Sequence, residues 1–188
     1  MWKQFSDRLR QISTGWVALS ALVIFLVFSI LALPRQSAAA KEFAGDAGSP
    51  DMSFFYSAAD LYQMAEAYGQ QGREAYIRAR FTFDLIWPLV YTLFLATAIG
   101  WLFSKAFVPD SRWQRANLAP VLGALFDYLE NVSTSTVMGR YPDQTAVADV
   151  LAPAFTLLKW VFVGGSFVLL FTGVVAALWQ WARERNKG

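Results

Sequence analysis

Three polar side chains lie close together in a part of the chain that is otherwise apolar. Asp127, Glu130 and Asn131 fall within the run LAPVLGALFDYLENVSTSTVM, residues 118–138. At helical spacing the same face continues with Thr134, so two carboxyls, an amide and a hydroxyl share one side of a single helix. Ionisable groups within a membrane-spanning segment are costly and usually functional. We therefore expect this face to point into the interior of a helix bundle and to form a polar site.

Two carboxyl groups one helical turn apart have a chemistry of their own. In a medium of low dielectric constant, ionisation of both Asp127 and Glu130 is unfavourable, so one should hold a proton unless a nearby cation compensates. A protonated carboxyl beside an ionised one suits general acid–base catalysis. Asp127 and Glu130 are therefore the candidate catalytic residues, although the sequence leaves open whether the protein is an enzyme.

A further carboxyl lies in another apolar segment. Asp84 is near the start of residues 82–104, and Tyr91 falls on the same helical face seven residues later. A buried carboxyl needs hydrogen-bond or charged partners, which a bundle interior can supply. The alternative is a local ion pair with Arg80, one helical turn before Asp84.

A cation is expected from the last apolar segment. Lys159 lies near the start of residues 152–181, and a rise of about 1.5 Å per residue brings its side chain within reach of the acidic face. We predict that Lys159 is the counter-ion of Asp127 and Glu130; the alternative is that it snorkels to water. The predicted ligand-binding residues are Asp84, Tyr91, Asp127, Glu130, Asn131, Thr134 and Lys159.

The composition excludes several classes of site. The chain contains no histidine and no cysteine, which rules out haem ligation by His, zinc sites built from Cys or His, thiolate nucleophiles and Ser/His/Asp triads. We predict no cofactor and no bound metal. The formal net charge is only +2 and the sequence has no basic cluster, so no nucleic-acid partner is expected.

Four apolar segments position these residues, each close to the roughly 20 residues that cross a bilayer. They are residues 15–34, 82–104, 118–138 and 152–181. Hydrophobic residues make up 56% of the chain and the mean hydropathy is +0.35. The sequence therefore predicts an all-α integral membrane protein, in which residues 1–188 form one four-transmembrane-helix bundle.

The connection formed by residues 36–80 is expected to carry an additional amphipathic helix in the first outer loop. Its first part, SAAAKEFAGDAGSPD, is typical of an irregular connector. Ser57 followed by Asp60 is typical of a helix start, and Gly69 and Gly72 are expected to end this helix. From Arg73 the chain is expected to be helical again and to run into the second apolar segment. The amphipathic helix caps the bundle or lies on the bilayer surface; the alternative is a lid over the site.

The distribution of Lys and Arg predicts the orientation. The basic residues assigned to the cytoplasm are Lys3, Arg8, Arg10, Lys105, Arg112, Arg115, Arg183, Arg185 and Lys187. We predict a multi-pass protein of the cell membrane with both termini cytoplasmic; Arg78 and Arg80 are exceptions on the outer side. Residues 37–40 match a cleavage signal, but the length of the first apolar segment favours an uncleaved anchor.

Small residues predict where the helices approach closely in lipid. They are Gly123, Ala124, Gly164, Gly165 and Gly173.

Three functions fit a buried site of this kind. The first is a pocket that binds a lipid-like or amphiphilic small molecule. The second is a proton- or ion-coupled transport element. The third is a structural or assembly subunit of a membrane complex, in which buried charges only hold the helices in register. The expected partners are membrane lipids and a small amphiphile, and the sequence leaves open a homo-oligomer or other membrane subunits.

Overall fold

The protein is built from α-helices. The computed structural model describes residues 2–186. The helices are α1 (Trp2–Ile12), α2 (Gly15–Ala44), α3 (Ala58–Arg80), α4 (Phe83–Ala106), α5 (Ala119–Arg140) and α6 (Ala148–Arg185), with short 3₁₀ turns at Gly45–Ala47, Pro50–Met52 and Arg112–Leu118. No strand occurs within residues 2–186, so the predicted all-α class is confirmed.

Three helical stretches are long and apolar enough to cross a membrane. They are Gly15–Ala47, Ala58–Ala106 and Ala148–Arg185, which contain α2, α3 with α4, and α6. Few residues in the apolar parts of α2 and α6 are buried by the rest of the protein, as expected of surfaces that face lipid. α5 is not among these stretches, because Asp127, Glu130 and neighbouring polar residues lower its hydropathy.

The centre of the bundle is formed by α4 and α5. α4 packs against α2, α5 and α6, and α5 has its largest contact with α6. Leu95, Ile99 and Phe103 of α4 are almost fully buried in the main apolar core. The polar face of α5 is buried as well, which places its carboxyls between helices.

Two glycines allow close helix approach, and two others do not. A Cβ atom on Gly123 would lie 2.9 Å from Cγ2 of Val163 in α6, and one on Gly173 would lie 2.9 Å from Cε1 of Phe103. The predicted close contacts are confirmed at these positions. At Gly164 and Gly165 a Cβ atom would meet nothing within 4 Å, so the prediction is wrong there, because these residues lie on a different face of α6.

α2 extends well beyond the predicted apolar segment. It continues through Pro34 and the following alanines to Ala44, and Gly45 ends it with a φ angle of 53°. Alanine has the highest helix propensity, which explains why residues 37–44 are helical. The predicted irregular connector is therefore wrong for these residues.

α3 caps one end of the bundle. Ser57 and Asp60 form the predicted capping box, and Gly69 interrupts the helix with a φ angle of 62°. The predicted end at Gly72 is wrong, because the helix continues through this residue to Arg80. On the inner side, Leu61 and Tyr76 are fully buried in a cluster that includes Met138 of α5. This packing agrees with the cap alternative.

The elements that carry the described basic residues assigned to the cytoplasm lie at the other end. The Ser6 hydroxyl of α1 donates to Oδ1 of Asn117 at 2.7 Å, and Nε2 of Gln180 in α6 donates to the carbonyl of Ala106 at 2.5 Å. α1, the connection between α4 and α5, and the end of α6 therefore lie together. Lys187 lies outside the described residues.

Candidate ligand-binding site

Lys159 is the centre of a buried ion network. Its Nζ lies 2.5 Å from Oε2 of Glu130 and 2.6 Å from Oδ1 of Asp51. Lys159 is 4% exposed and Glu130 is 0% exposed, so the lysine does not snorkel to water. The prediction that Lys159 is a counter-ion of the α5 carboxyls is confirmed for Glu130.

Arg80 forms the second half of this network. Its Nε lies 2.9 Å from Oδ2 of Asp84, four residues later at the start of α4, and its Nη1 lies 3.3 Å from Oδ2 of Asp51. The guanidinium also lies over the ring of Tyr76, 4.8 Å from its centroid. The local pair of Arg80 with Asp84 is therefore present, and Arg80 is a buried partner of acids rather than a free basic residue.

Asp51 joins the two halves, and sequence reasoning missed it. It lies in the 3₁₀ turn Pro50–Met52, and its two carboxylate oxygens contact different cations, Lys159 and Arg80. Burial alone raises the pKa of the Asp51 carboxyl, but the two cations outweigh burial and hold its pKa well below the ordinary value. No periodic pattern marks this residue, because the 3₁₀ turn that contains it is only three residues long.

Asp127 has neutral partners only. The Tyr91 hydroxyl donates to its Oδ2 at 3.0 Å, and Nδ2 of Asn131 donates to its Oδ1 at 3.3 Å. Asp127 forms no ion pair with any residue that the structure describes. The prediction that Lys159 compensates Asp127 directly is therefore wrong: the ammonium contacts Glu130, one turn along α5.

Thr134 has a structural contact instead of a free hydroxyl. Its Oγ1 donates to the backbone carbonyl of Glu130 at 2.9 Å, a common arrangement for threonine within a helix.

A cavity of about 590 Å³ lies beside the network, within the usual size range of small-molecule sites. Of the predicted ligand-binding residues, the structure places Asp84, Tyr91, Asp127 and Lys159 in its lining, whereas Glu130, Asn131 and Thr134 are not part of it. Asp51 and Arg80 also line the cavity. Asp127 and Glu130 therefore do not present both carboxyls to one ligand.

The rest of the lining is largely apolar. α2 contributes Phe25 and Leu33, α4 contributes Trp87, and α6 contributes Val163 and Phe167. The cavity is therefore charged at one end and apolar along its walls, and it lies between α2 and α6 with α4 beside both.

The network contains more acids than bases. Its carboxyls belong to Asp51, Asp84 and Glu130, its cations are Arg80 and Lys159, and the carboxyl of Asp127 lies beside it. One oxygen each of Asp51, Asp127 and Glu130 lie within 4.8 Å of one another, close enough for a metal ion. The Lys159 ammonium already contacts two of these three carboxyls, so the arrangement favours the protein's own cation at this position.

Comparisons with protein-family models, with curated proteins and with solved structures find no significant match. Proposals about function therefore rest on the geometry of this site.

Proposed function

We propose that this is a four-span protein of the cell membrane that binds a lipid-like amphiphile in the cavity between α2 and α6. The observation that carries the proposal is the cavity itself, which has a charged end and apolar walls. An amphiphile can place its polar head group at the charged end and its hydrocarbon chain against the apolar walls. α2 and α6 also expose apolar side chains next to the cavity, so a chain can enter from the lipid without crossing water.

The fourth span in this proposal is α5. It has 22 residues, and a rise of 1.5 Å per residue gives a length of about 33 Å, enough to cross the hydrocarbon core of about 30 Å. Leu125, Leu129 and Val132 are exposed on one face, while the polar residues face the interior. A helix with an apolar outer stripe and a buried polar face suits a bundle in lipid.

Cysteine labelling tests the number of spans and their orientation. With four spans and cytoplasmic termini, Gln144 is outside and Asp110 is inside. The chain has no native cysteine, so Gln144→Cys should react with an impermeant maleimide on intact cells, while Asp110→Cys should react only after the membrane is opened. Equal labelling of both variants on intact cells would contradict a spanning α5.

A tryptophan in the lining of the cavity tests the binding of an amphiphile. Ala40 of α2 lines the cavity and Ala39 does not. Wild-type protein and Ala39→Trp should retain a bound amphiphile in native mass spectrometry after mild extraction. Ala40→Trp should lose most of it, because the indole occupies the space that the ligand needs.

The matched pair separates occlusion from loss of folding. Both variants place the same indole on neighbouring positions of one helix, so a general effect on α2 should appear in both melting temperatures. Equal ligand retention by Ala39→Trp and Ala40→Trp would place the amphiphile outside this cavity. A wild-type protein that carries no amphiphile and takes up none when supplied would contradict the proposal.

A structural or assembly role is the second candidate. It is supported by the mutual contacts of the network, because Lys159 and Arg80 each contact two carboxylates. Buried ion pairs of this kind can hold helices in register without any ligand.

A further inference from the structure

We propose that the head group bound at the charged end of the cavity is an ammonium cation, so that the ligand is a cationic or zwitterionic amphiphile. This inference rests on the proposed function, because it assigns the chemistry of a ligand in the same cavity. Two independent observations carry it: the excess of carboxyls and the aromatic lining.

The first observation is that the charged end lacks free cations. Arg80 and Lys159 line the cavity, but each already contacts two carboxylates. Asp127 also lines the cavity, is 5% exposed, and has only neutral partners. A positively charged head group beside Asp127 supplies the direct ion pair that this carboxyl lacks within the described residues, and a buried carboxylate gains most from such a partner.

The second observation is the number of aromatic rings in the lining, some of which lie next to the charged groups. The rings in the lining are those of Phe25, Phe83, Trp87, Tyr91, Trp160 and Phe167. The ring centroids of Tyr91 and Trp87 lie 5.8 Å apart. The Tyr91 hydroxyl donates a hydrogen bond to Asp127. An aromatic wall therefore adjoins the carboxylate. Rings attract ammonium groups through their electron-rich faces, and aromatic cages are the usual sites for quaternary ammonium ligands.

An anionic head group fits the same surroundings poorly. A phosphate at this position would face Asp84 and Asp127, and it would have to displace Asp51 to reach Arg80 or Lys159. Lys41 also lines the cavity, but it is an exposed residue of α2, so water and salt screen its charge. The charges at the charged end of the cavity therefore disfavour binding of an anionic head group.

The test compares three amphiphiles with the same chain. The probes are tritiated dodecyltrimethylammonium, dodecyl phosphate and dodecanol, measured by saturable binding to the protein in discs of a neutral glycolipid, with empty discs subtracted. A volume of 590 Å³ corresponds to roughly 20 water molecules at about 30 Å³ each, and a C12 chain with a small head group has fewer non-hydrogen atoms than that. Wild-type protein should bind the ammonium probe at least about tenfold more tightly than the phosphate probe.

Variants identify the residues responsible. Asp127→Asn should weaken binding of the ammonium probe by about tenfold and leave binding of dodecanol unchanged, which shows that the cavity is intact. Trp87→Leu should weaken binding of the ammonium probe more than that of dodecanol, because the leucine keeps an apolar wall without a ring. Asp143→Asn, an exposed position in the connection between α5 and α6, should bind all three probes as wild type does.

The outcomes separate the two proposals. If dodecanol binds saturably and is lost in Ala40→Trp, but the ammonium probe binds no better than the phosphate probe, the cavity is real and the ammonium inference is wrong. The same conclusion follows if Asp127→Asn leaves the preference for the ammonium probe unchanged. If none of the three probes binds the wild-type protein saturably, the proposed function itself fails.

Discussion

Lys159→Met should lower the free energy of unfolding by about 3 to 5 kcal/mol, the usual cost of removing one partner of a buried ion pair. The substitution leaves Glu130 fully buried without its cation and removes one of the two cations at Asp51. Methionine fills a similar volume, so most of the loss comes from the stranded charge. Unfolding in mixed micelles, followed by tryptophan fluorescence, measures the change.

Double variants show which carboxyl Lys159 compensates. Lys159→Met combined with Glu130→Gln removes both ends of the pair and should recover much of the lost stability. Lys159→Met with Asp127→Asn is the matched control, because Asp127 has no ion pair with the lysine, and it should recover less. Equal recovery of stability in the two double variants would mean that Lys159 stabilises the charges of Glu130 and Asp127 equally.

The same experiment separates the two candidate functions. If Lys159→Met with Glu130→Gln is as stable as the wild type, the ion pair is not needed for folding. The position of the ion pair beside the cavity then favours the ligand-binding role over the structural role. If the double variant does not fold, the network holds the helices together, as the structural role requires.

The polar face of α5 could be predicted from the sequence because it depends only on helical geometry. Asp127, Glu130, Asn131 and Thr134 repeat at the spacing of one helix face, and all four are buried. The pairing of Arg80 with Asp84 was also predictable, because the two residues are only four positions apart, although a turn at residues 81–82 separates α3 from α4. Such local relations do not depend on how the helices pack.

The contacts between elements could not be predicted in the same way. Which carboxyl Lys159 meets depends on the rotation and tilt of α6 against α5, and no periodic pattern contains that information. Asp51 contacts Lys159 across 108 positions of the chain and lies in a 3₁₀ turn of a connection. The cavity could not be predicted from the sequence either, because its lining comes from five separate parts of the chain.

The glycines of α5 and α6 show the same limit. Their composition predicts close approach, but only the packing of the two helices decides which glycine faces a neighbour. Gly123 faces Val163, whereas Gly164, the next residue after Val163, faces open space. Gly123 and Gly164 are therefore a matched pair of positions at which the same substitution can be compared.

Gly123→Leu should destabilise the protein by about 2 to 3 kcal/mol through overpacking. Even a Cβ atom at this position would lie 2.9 Å from Cγ2 and 3.4 Å from the backbone nitrogen of Val163, so a leucine must push α6 away from α5. Gly164→Leu is the control, because its Cβ atom would meet nothing within 4 Å. It should be neutral or slightly stabilising, since leucine has a higher helix propensity than glycine.

The leucine side chain of Gly123→Leu should also weaken the ion network, because Val163 lies one helical turn after Lys159. Moving this part of α6 outward lengthens the contact of Lys159 with Glu130, which is 2.5 Å in the wild type. Gly123→Leu and Lys159→Met should therefore be less than additive, since the first already weakens what the second removes. Gly164→Leu and Lys159→Met should be additive. Full additivity in both pairs would show that the spacing of α5 and α6 at Gly123 does not control the ion pair.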